Sequence, residues 1–425
     1  MKTLAMSSVI FHLKINPKRH SYCIFLSMTK QLKRTRDHID VSIENIKVED
    51  EIKSKYFKKE LPVSVKGEER EDLKVEFEDY VDVEWVKKLE NKEYFGWISK
   101  RTSDDLAEWG KPLNMSIFLD RTKSSLPDNF IPIYSRVRLM RSMLKTPVDT
   151  MGCSKLPITV SKQCGIDKSN IIPKNYRLQI LVGVMLSAQT KDEVTAQAVY
   201  NITEYCINEL DITEGITLEA LLMIDESVLD ELIHSVGFHN RKAKFIKDTA
   251  LLLEEQFESD VPSTIDGFLS LPGVGPKMGY LALQKAWGKV DGICVDVHVH
   301  RLVKMWKWVD EKKCKTPEHT RKSLESWLPR ELWYEINSVL VGFGQVICES
   351  RVKRCDICLN KDVCNAREKK LTKKTQKTGL EELGLQFKGN RGDYSKWLEY
   401  LNGEQTESKV KKEELNDNTV IKTEF

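Results

Sequence analysis

The segment Leu271-Pro272-Gly273-Val274-Gly275-Pro276-Lys277 restricts the fold more than any other stretch of the chain. Two glycines around one apolar residue make a tight turn that admits positive φ. Pro276 suits the first residue of a helix, where a missing N–H costs nothing. The chain is therefore expected to turn sharply into a helix whose unpaired amides and positive dipole end converge. Such a corner holds a phosphate and grips a nucleic-acid backbone without reading bases, which makes Gly273, Val274 and Gly275 candidate backbone contacts. A Gly-x-Gly turn alone serves equally as a structural corner; Lys277 adds chemistry. A lysine in the first helical turn faces the positive dipole end and loses solvent, and both effects are expected to lower its pKa. A neutral amine is a nucleophile, whereas a solvated lysine is a phosphate contact, and the turn by itself leaves both open.

Nineteen positions on, Asp296 stands in Gly292-Ile293-Cys294-Val295-Asp296-Val297-His298-Val299-His300-Arg301. Aspartate is a favoured N-cap, and Val299, Leu302, Val303 and Trp306 give the following residues a helical apolar stripe. Capping and catalysis are compatible, because a carboxylate fixed at a helix start can face a cation or a developing oxocarbenium sugar. His298 and His300 lack ligand spacing and read as structural.

Four of the ten cysteines form the run Cys348-x6-Cys355-x2-Cys358-x5-Cys364. The other six, Cys23, Cys153, Cys164, Cys206, Cys294 and Cys314, have no motif spacing and read as small buried or loop thiols. Structural zinc usually joins two Cys-x2-4-Cys halves through a longer spacer, whereas one compact loop with all four ligands better suits a cubane iron–sulfur cluster. Between the first two ligands lie Arg351, Lys353 and Arg354, and residues 351–379 hold ten Lys/Arg against three Asp/Glu. A metal-stapled loop presenting three cations resembles a phosphate-contacting device.

The flanking regions differ in composition. The first 36 residues carry eight Lys/Arg and no Asp or Glu, interleaved with apolar residues, as in a mitochondrial transit peptide. From Met28 the run Met-Thr-Lys-Gln-Leu-Lys-Arg-Thr-Arg reads as a weak nuclear-type basic patch, and an arm with no address is the alternative. Residues 37–90 are Lys/Glu-rich without apolar periodicity and read as mostly unpacked. Tyr94–Leu119 holds too many aromatics for a linker and is expected to dock on the body. From Pro132 helical apolar spacing recurs to about Tyr400, thinning past Gly379, with no convincing run of alternating strands. The body is read as all-α. No run of about 18 apolar residues is present, which excludes an obvious membrane helix.

The hairpin, Val295-Asp296-Val297-His298 and the cysteine run, in that order, resemble the endonuclease III family of DNA glycosylases in its eukaryotic form. Leu186-Ser187-Ala188-Gln189-Thr190-Lys191-Asp192 and Val236-Gly237-Phe238-His239-Asn240-Arg241-Lys242-Ala243 match two further family segments, and the likeness spans about residues 130–368. The resemblance implies a two-domain helix-hairpin-helix fold. A six-helix barrel would occupy 173–300, and a cluster domain 126–172 with 301–368. The remainder would be a targeting segment (1–36), a charged, largely unstructured extension (37–125) and a charged C-terminal tail (369–425).

It also implies a bifunctional glycosylase/AP lyase, monomeric, acting on damaged or abasic double-stranded DNA and removing oxidised pyrimidines, while the basic N-terminal segment points to nucleus and mitochondrion. Lys277 would be the Schiff-base nucleophile, Asp296 its electrostatic partner, and Cys348, Cys355, Cys358 and Cys364 the sole ligands of a [4Fe-4S] cluster. Gln189 and Phe238 would fill the gap left by an extruded base, although Phe238 is bulkier than the aliphatic wedge the family leads one to expect. Two other readings stand beside this one. An adenine-mismatch glycosylase of the same superfamily normally lacks the lysine and carries an extra β-rich domain. A non-catalytic Fe–S DNA-binding module needs neither Lys277 nor Asp296. The arms also contain apolar-Lys-x-acid tetrads around Lys47, Lys66, Lys74, Lys411 and Lys422 that resemble sumoylation acceptors, a number that chance supplies readily in Lys/Glu-rich sequence.

Overall fold

The computed structural model of the chain describes residues 81–102, 105–118, 126–371 and 392–403. The basic N-terminal segment and all five acceptor-like tetrads lie outside the described residues. Among the described residues the fold is helical, as expected, with two isolated β-bridges, Lys145–Asp393 and Cys348–Lys353, in place of any sheet.

Two apolar clusters organise it. The first is built around α3 (Pro173–Ser187), which opens on a proline and is buried on every side from Asn175 to Leu186. A helix apolar all round can only be central. Packed with it are α1 (Asn91–Arg101), α4 (Asp192–Leu210), α5 (His239–Gln256), and the pair α6 (Ile265–Ser270) and α7 (Pro276–Trp287). Arg177 of α3 is buried, and it is matched by Asp260 through Nε–Oδ1 at 3.1 Å and Nη2–Oδ2 at 2.5 Å, and by the Trp287 ring 4.3 Å away. Removing one partner of such a pair costs about 3–5 kcal/mol, because the other charge is stranded.

The second cluster joins α2 (Phe130–Met143), α8 (Val297–Met305) and α9 (Ile336–Val346). Phe130 sits edge-on to Trp308 and Trp327 at 4.7 and 5.0 Å. Arg138 is matched by Glu335 at 2.8 Å, and the Tyr134 hydroxyl donates to the same carboxylate at 3.0 Å.

The extended stretch before α8 serves both clusters. Alternating side chains send Ile293 and Val295 into the second and Cys294 into the first. Asp296 follows directly, at the seam.

Two segments differ from the sequence reading. Among the described residues, packing in the extension precedes the aromatic run, because Val81 and Val86 are buried with Tyr94, Phe95 and Ile98. The Tyr94 hydroxyl donates to Ala286 O of α7 at 2.7 Å. Within the stretch read as a charged tail, residues 395–403 are helical, with Tyr394 and Trp397 buried in the second cluster. Tyr394, Trp397, Leu398 and Leu401 stand at helical spacing, a short apolar stripe within a charged stretch.

Candidate active site

The hairpin joins α6 to α7. Thr264 caps α6, its Oγ1 accepting from Gly267 N at 3.2 Å, and Val274 N closes the turn on Leu271 O at 3.2 Å. Gly273 has φ +74°, and a Cβ there would lie 2.3 Å from the Phe245 ring, so both conformation and space demand glycine. Gly275 departs from expectation. Its φ is −99°, and a Cβ added to it meets nothing within 4 Å. Only one glycine is needed for the turn; the other leaves an open approach to the first amides of α7.

Lys277 stands half-buried in the first turn of α7. Asp296 caps α8, its Oδ1 accepting from Val299 N at 2.8 Å. Both side chains open on one cleft of roughly 550 Å³, which Gln189, Cys153, Asp192 and Gln345 also line. Three elements distant in sequence thus deliver an amine, a carboxylate and an amide to the same space.

The electrostatics correct the sequence reading of Lys277. Burial disfavours its ammonium, but Cys294, Asp296, Cys153 and Asp192 favour it, and the net shift is upward. Burial pushes the Cys294 thiol up to about 12 and raises Cys153 as well, so at neutral pH both are uncharged. The carboxylates therefore hold the proton on Lys277. The helix-start argument missed Asp192, which is fixed at the beginning of α4 where Gln345 Nε2 donates to its Oδ2 at 2.7 Å. Gln345 Oε1 in turn accepts from Val148 N at 3.0 Å.

Gln189 and Phe238 lie on two neighbouring loops. A Cβ on Gly237 would fall 3.4 Å from Gln189 O. Both residues are exposed and left-handed, at φ +52° and +60°. Non-glycine residues in that region are strained and cluster at functional sites. Phe238 does not line the Lys277 cleft; it is 56% exposed, with the Arg241 guanidinium 5.3 Å from its ring.

The four cysteines of the run line one pocket with Trp306 and Phe343. Arg301 Nη2 donates to Cys348 O at 2.6 Å, and Glu368 N donates to Cys355 Sγ at 3.4 Å. Burial pushes the Cys348 thiol up to about 11 and raises Cys355 and Cys358. The run thus gathers its four thiols at one pocket. Among the described residues no three His, Cys, Asp or Glu side chains form a single-ion site. The neighbouring cations also differ from expectation. Arg354 folds onto Asp356 with Nη2–Oδ2 at 2.5 Å, and Lys353 lines the cysteine pocket 3.9 Å from Glu368, leaving Arg351 exposed beside Val352.

Residues 182–330 match the family model of the HhH-GPD superfamily base excision DNA repair protein, which defines the class: a helix-hairpin-helix DNA repair enzyme. The chain is 55% identical over 381 residues to endonuclease III homolog 2 of Saccharomyces cerevisiae, covering 89% of this chain and 98% of that protein. It is 50% identical over 351 residues to endonuclease III homolog 1 of the same yeast, covering 81% and 86%. Endonuclease III-like protein 1 of Mus musculus matches at 43% over 242 residues, covering 57% and 74%. The chain belongs to the endonuclease III family and is a base-excision repair DNA glycosylase. The likeness to the first yeast protein runs well beyond the stretch 130–368 that the motifs mark.

Proposed function

We propose that the enzyme is bifunctional, removing oxidised pyrimidines and then cutting the abasic strand through an imine on Lys277. The observation that carries this is Lys277 and Asp296 opening from two helices onto one cleft. A base inside a duplex cannot be attacked at its sugar, so the nucleotide is first flipped out. Because Asp296 and Asp192 hold the ammonium, Lys277 must lose a proton on site, and Asp296 is the carboxylate placed at the helix start to take it. The amine then bonds to the anomeric carbon as the glycosidic bond breaks, and the base leaves with its electron pair and collects a proton. Asp296 stabilises the cationic sugar. Ring opening gives the protonated imine, which acidifies the adjacent C2′ proton. Loss of that proton expels the 3′ phosphate, and water later frees the lysine.

Gln189 and Phe238 fill the vacated gap, Gly273, Val274, Gly275 and the exposed loop cation Arg351 grip the backbone, and the enzyme acts as a monomer in nucleus and mitochondrion. Cys348, Cys355, Cys358 and Cys364 fit a [4Fe-4S] cluster. All four line one pocket from a single compact loop, which suits a cubane cluster better than zinc, whose structural sites usually join two Cys-x2-4-Cys halves through a longer spacer. Thiols this buried become thiolates only beside a cationic centre. When bound, the cluster supplies a structural staple for the loop that carries Arg351. Borohydride reduction on abasic-site DNA tests the reading: the parent is expected to form a covalent adduct and Lys277→Gln none. An adduct in Lys277→Gln at the parent's rate would place the nucleophile elsewhere.

A further inference from the structure

Lys242 is a buried lysine that the mechanism above does not use. It lies in the first turns of α5, 7% exposed, and its Nζ donates to Leu186 O at 2.7 Å, Ala188 O at 2.7 Å and Thr190 Oγ1 at 3.2 Å. Three donors meet three acceptors, so the ammonium is saturated. The Thr190 hydroxyl passes its own proton to Ala188 O at 3.1 Å, which leaves a lone pair for the lysine.

Leu186 O belongs to the last turn of α3, whose final carbonyls have no partner within the helix, and Ala188 O follows it. A cation at a helix C-terminus satisfies those carbonyls and answers the negative end of the dipole. Glycine is the usual residue just beyond such an end, yet here it is Gln189, at φ +52°. A non-glycine residue in that conformation is strained and persists only where its surroundings hold it. Lys242 is the group that bonds on both sides of Gln189. It also stands four residues from Phe238, the left-handed residue that opens α5.

We propose that Lys242 is a positioning residue for base extrusion, tying the end of α3 to the start of α5 so that Gln189 and Phe238 enter the duplex as one preset pair. This rests on the glycosylase reading of those two side chains. The lysine sits close enough to the catalytic amine for the two charges to oppose each other: burial first, and Lys277 second, bring Lys242 down to about 8. Its ammonium is retained at neutral pH because helix-end carbonyls surround it.

The test compares single-turnover base release from duplex and from single-stranded DNA carrying the same lesion. A single strand leaves no gap to fill. Lys242→Met is expected to slow the duplex reaction about ten- to a hundredfold while leaving the single-strand reaction within about threefold of the parent. Combined with Gln189→Ala, it should add nothing to the loss of either single variant, as for two residues acting as one unit. Lys242→Arg should recover part of the duplex rate. Thr190→Val removes one acceptor without touching the buried lysine, so it decides the matter if Lys242→Met does not fold, and its smaller loss should also be confined to duplex. Equal losses on both substrates, or full additivity with Gln189→Ala, would overturn the proposal. A parent that forms no borohydride adduct would strike the Lys277 reading alone, since strand dependence is read from base release.

Discussion

The Lys277 cleft and the cysteine pocket are both assembled from residues the sequence singles out, but they stand at different degrees of completion. At the cleft, hydrogen bonds fix both carboxylates, Asp296 by its cap and Asp192 by Gln345, and Lys242 holds the backbone beside Gln189 through Ala188 O. At the pocket, four thiols converge without closing into a ligand set, and burial works against their ionisation. One region is held by hydrogen bonds between distant elements; the other gathers four thiols of one short loop at one pocket.

The sharpest way to separate the two regions is a pair of variants that fail in opposite respects. Lys277→Gln should lower base release by roughly 10³-fold or more, while thermal unfolding and DNA affinity stay at the parent's level, since many cations and amides share the phosphate grip. A parallel loss of affinity would mean that Lys277 is chiefly a backbone contact. Cys364→Ser should instead deplete iron and brown colour and lower Tm on the order of 10 °C. An iron-free variant with an unchanged melting curve would show the pocket to be as complete as the cleft.

Within the hairpin, the two glycines sharpen the point on a smaller scale. Gly273→Ala combines left-handed strain with a 2.3 Å approach to Phe245 and should cost about 2–4 kcal/mol in denaturant unfolding. Gly275→Ala should leave stability within about 0.5 kcal/mol, because the added Cβ meets nothing. It should weaken DNA binding, since it fills the approach to the first amides of α7. Equal destabilisation by both would remove the distinction between a glycine that makes the turn and one that admits a partner.

The smallest effect expected is on pH dependence. Cys294 first, and then Asp296, Cys153 and Asp192, raise the Lys277 pKa against its burial, so the fraction of free amine, and with it base release, should climb as pH rises through the neutral range. Asp192→Asn keeps the hydrogen-bonding shape but removes a charge that favours the ammonium. The lysine pKa then falls, and the climb should begin at lower pH. An unmoved profile would show that Asp296 alone sets the proton on Lys277.

What the sequence made legible was whatever chemistry is written in residue type and spacing: the turn, the amine and carboxylate brought to one cleft, the four thiols in one pocket. What it concealed depends on surroundings. Lys242 lies in a run of basic residues and looks like a solvated phosphate contact until the end of α3 is placed over it. Asp192 stands in a quoted motif, but its influence on Lys277 follows from a fold that brings the first residues of α4 and α7 to one cleft. Strain at Gln189 and Phe238 has no compositional signature, since neither is glycine. Val86 and Trp397 belong to short apolar stripes set in charged stretches, and only the clusters that receive them reveal their burial.

The extended stretch ahead of α8 is fastened alternately into both apolar clusters, with Asp296 next in line. Lys277 belongs to the first cluster through α7, whereas α8, which Asp296 caps, belongs to the second. The separation between amine and carboxylate is therefore a reading of how the two cores are seated against each other. A volume change deep in either core, far from any DNA, is transmitted along this segment as a displacement of Asp296. Catalytic alignment should then degrade through small shifts that leave both cores folded, so that loss of activity on heating precedes loss of helix.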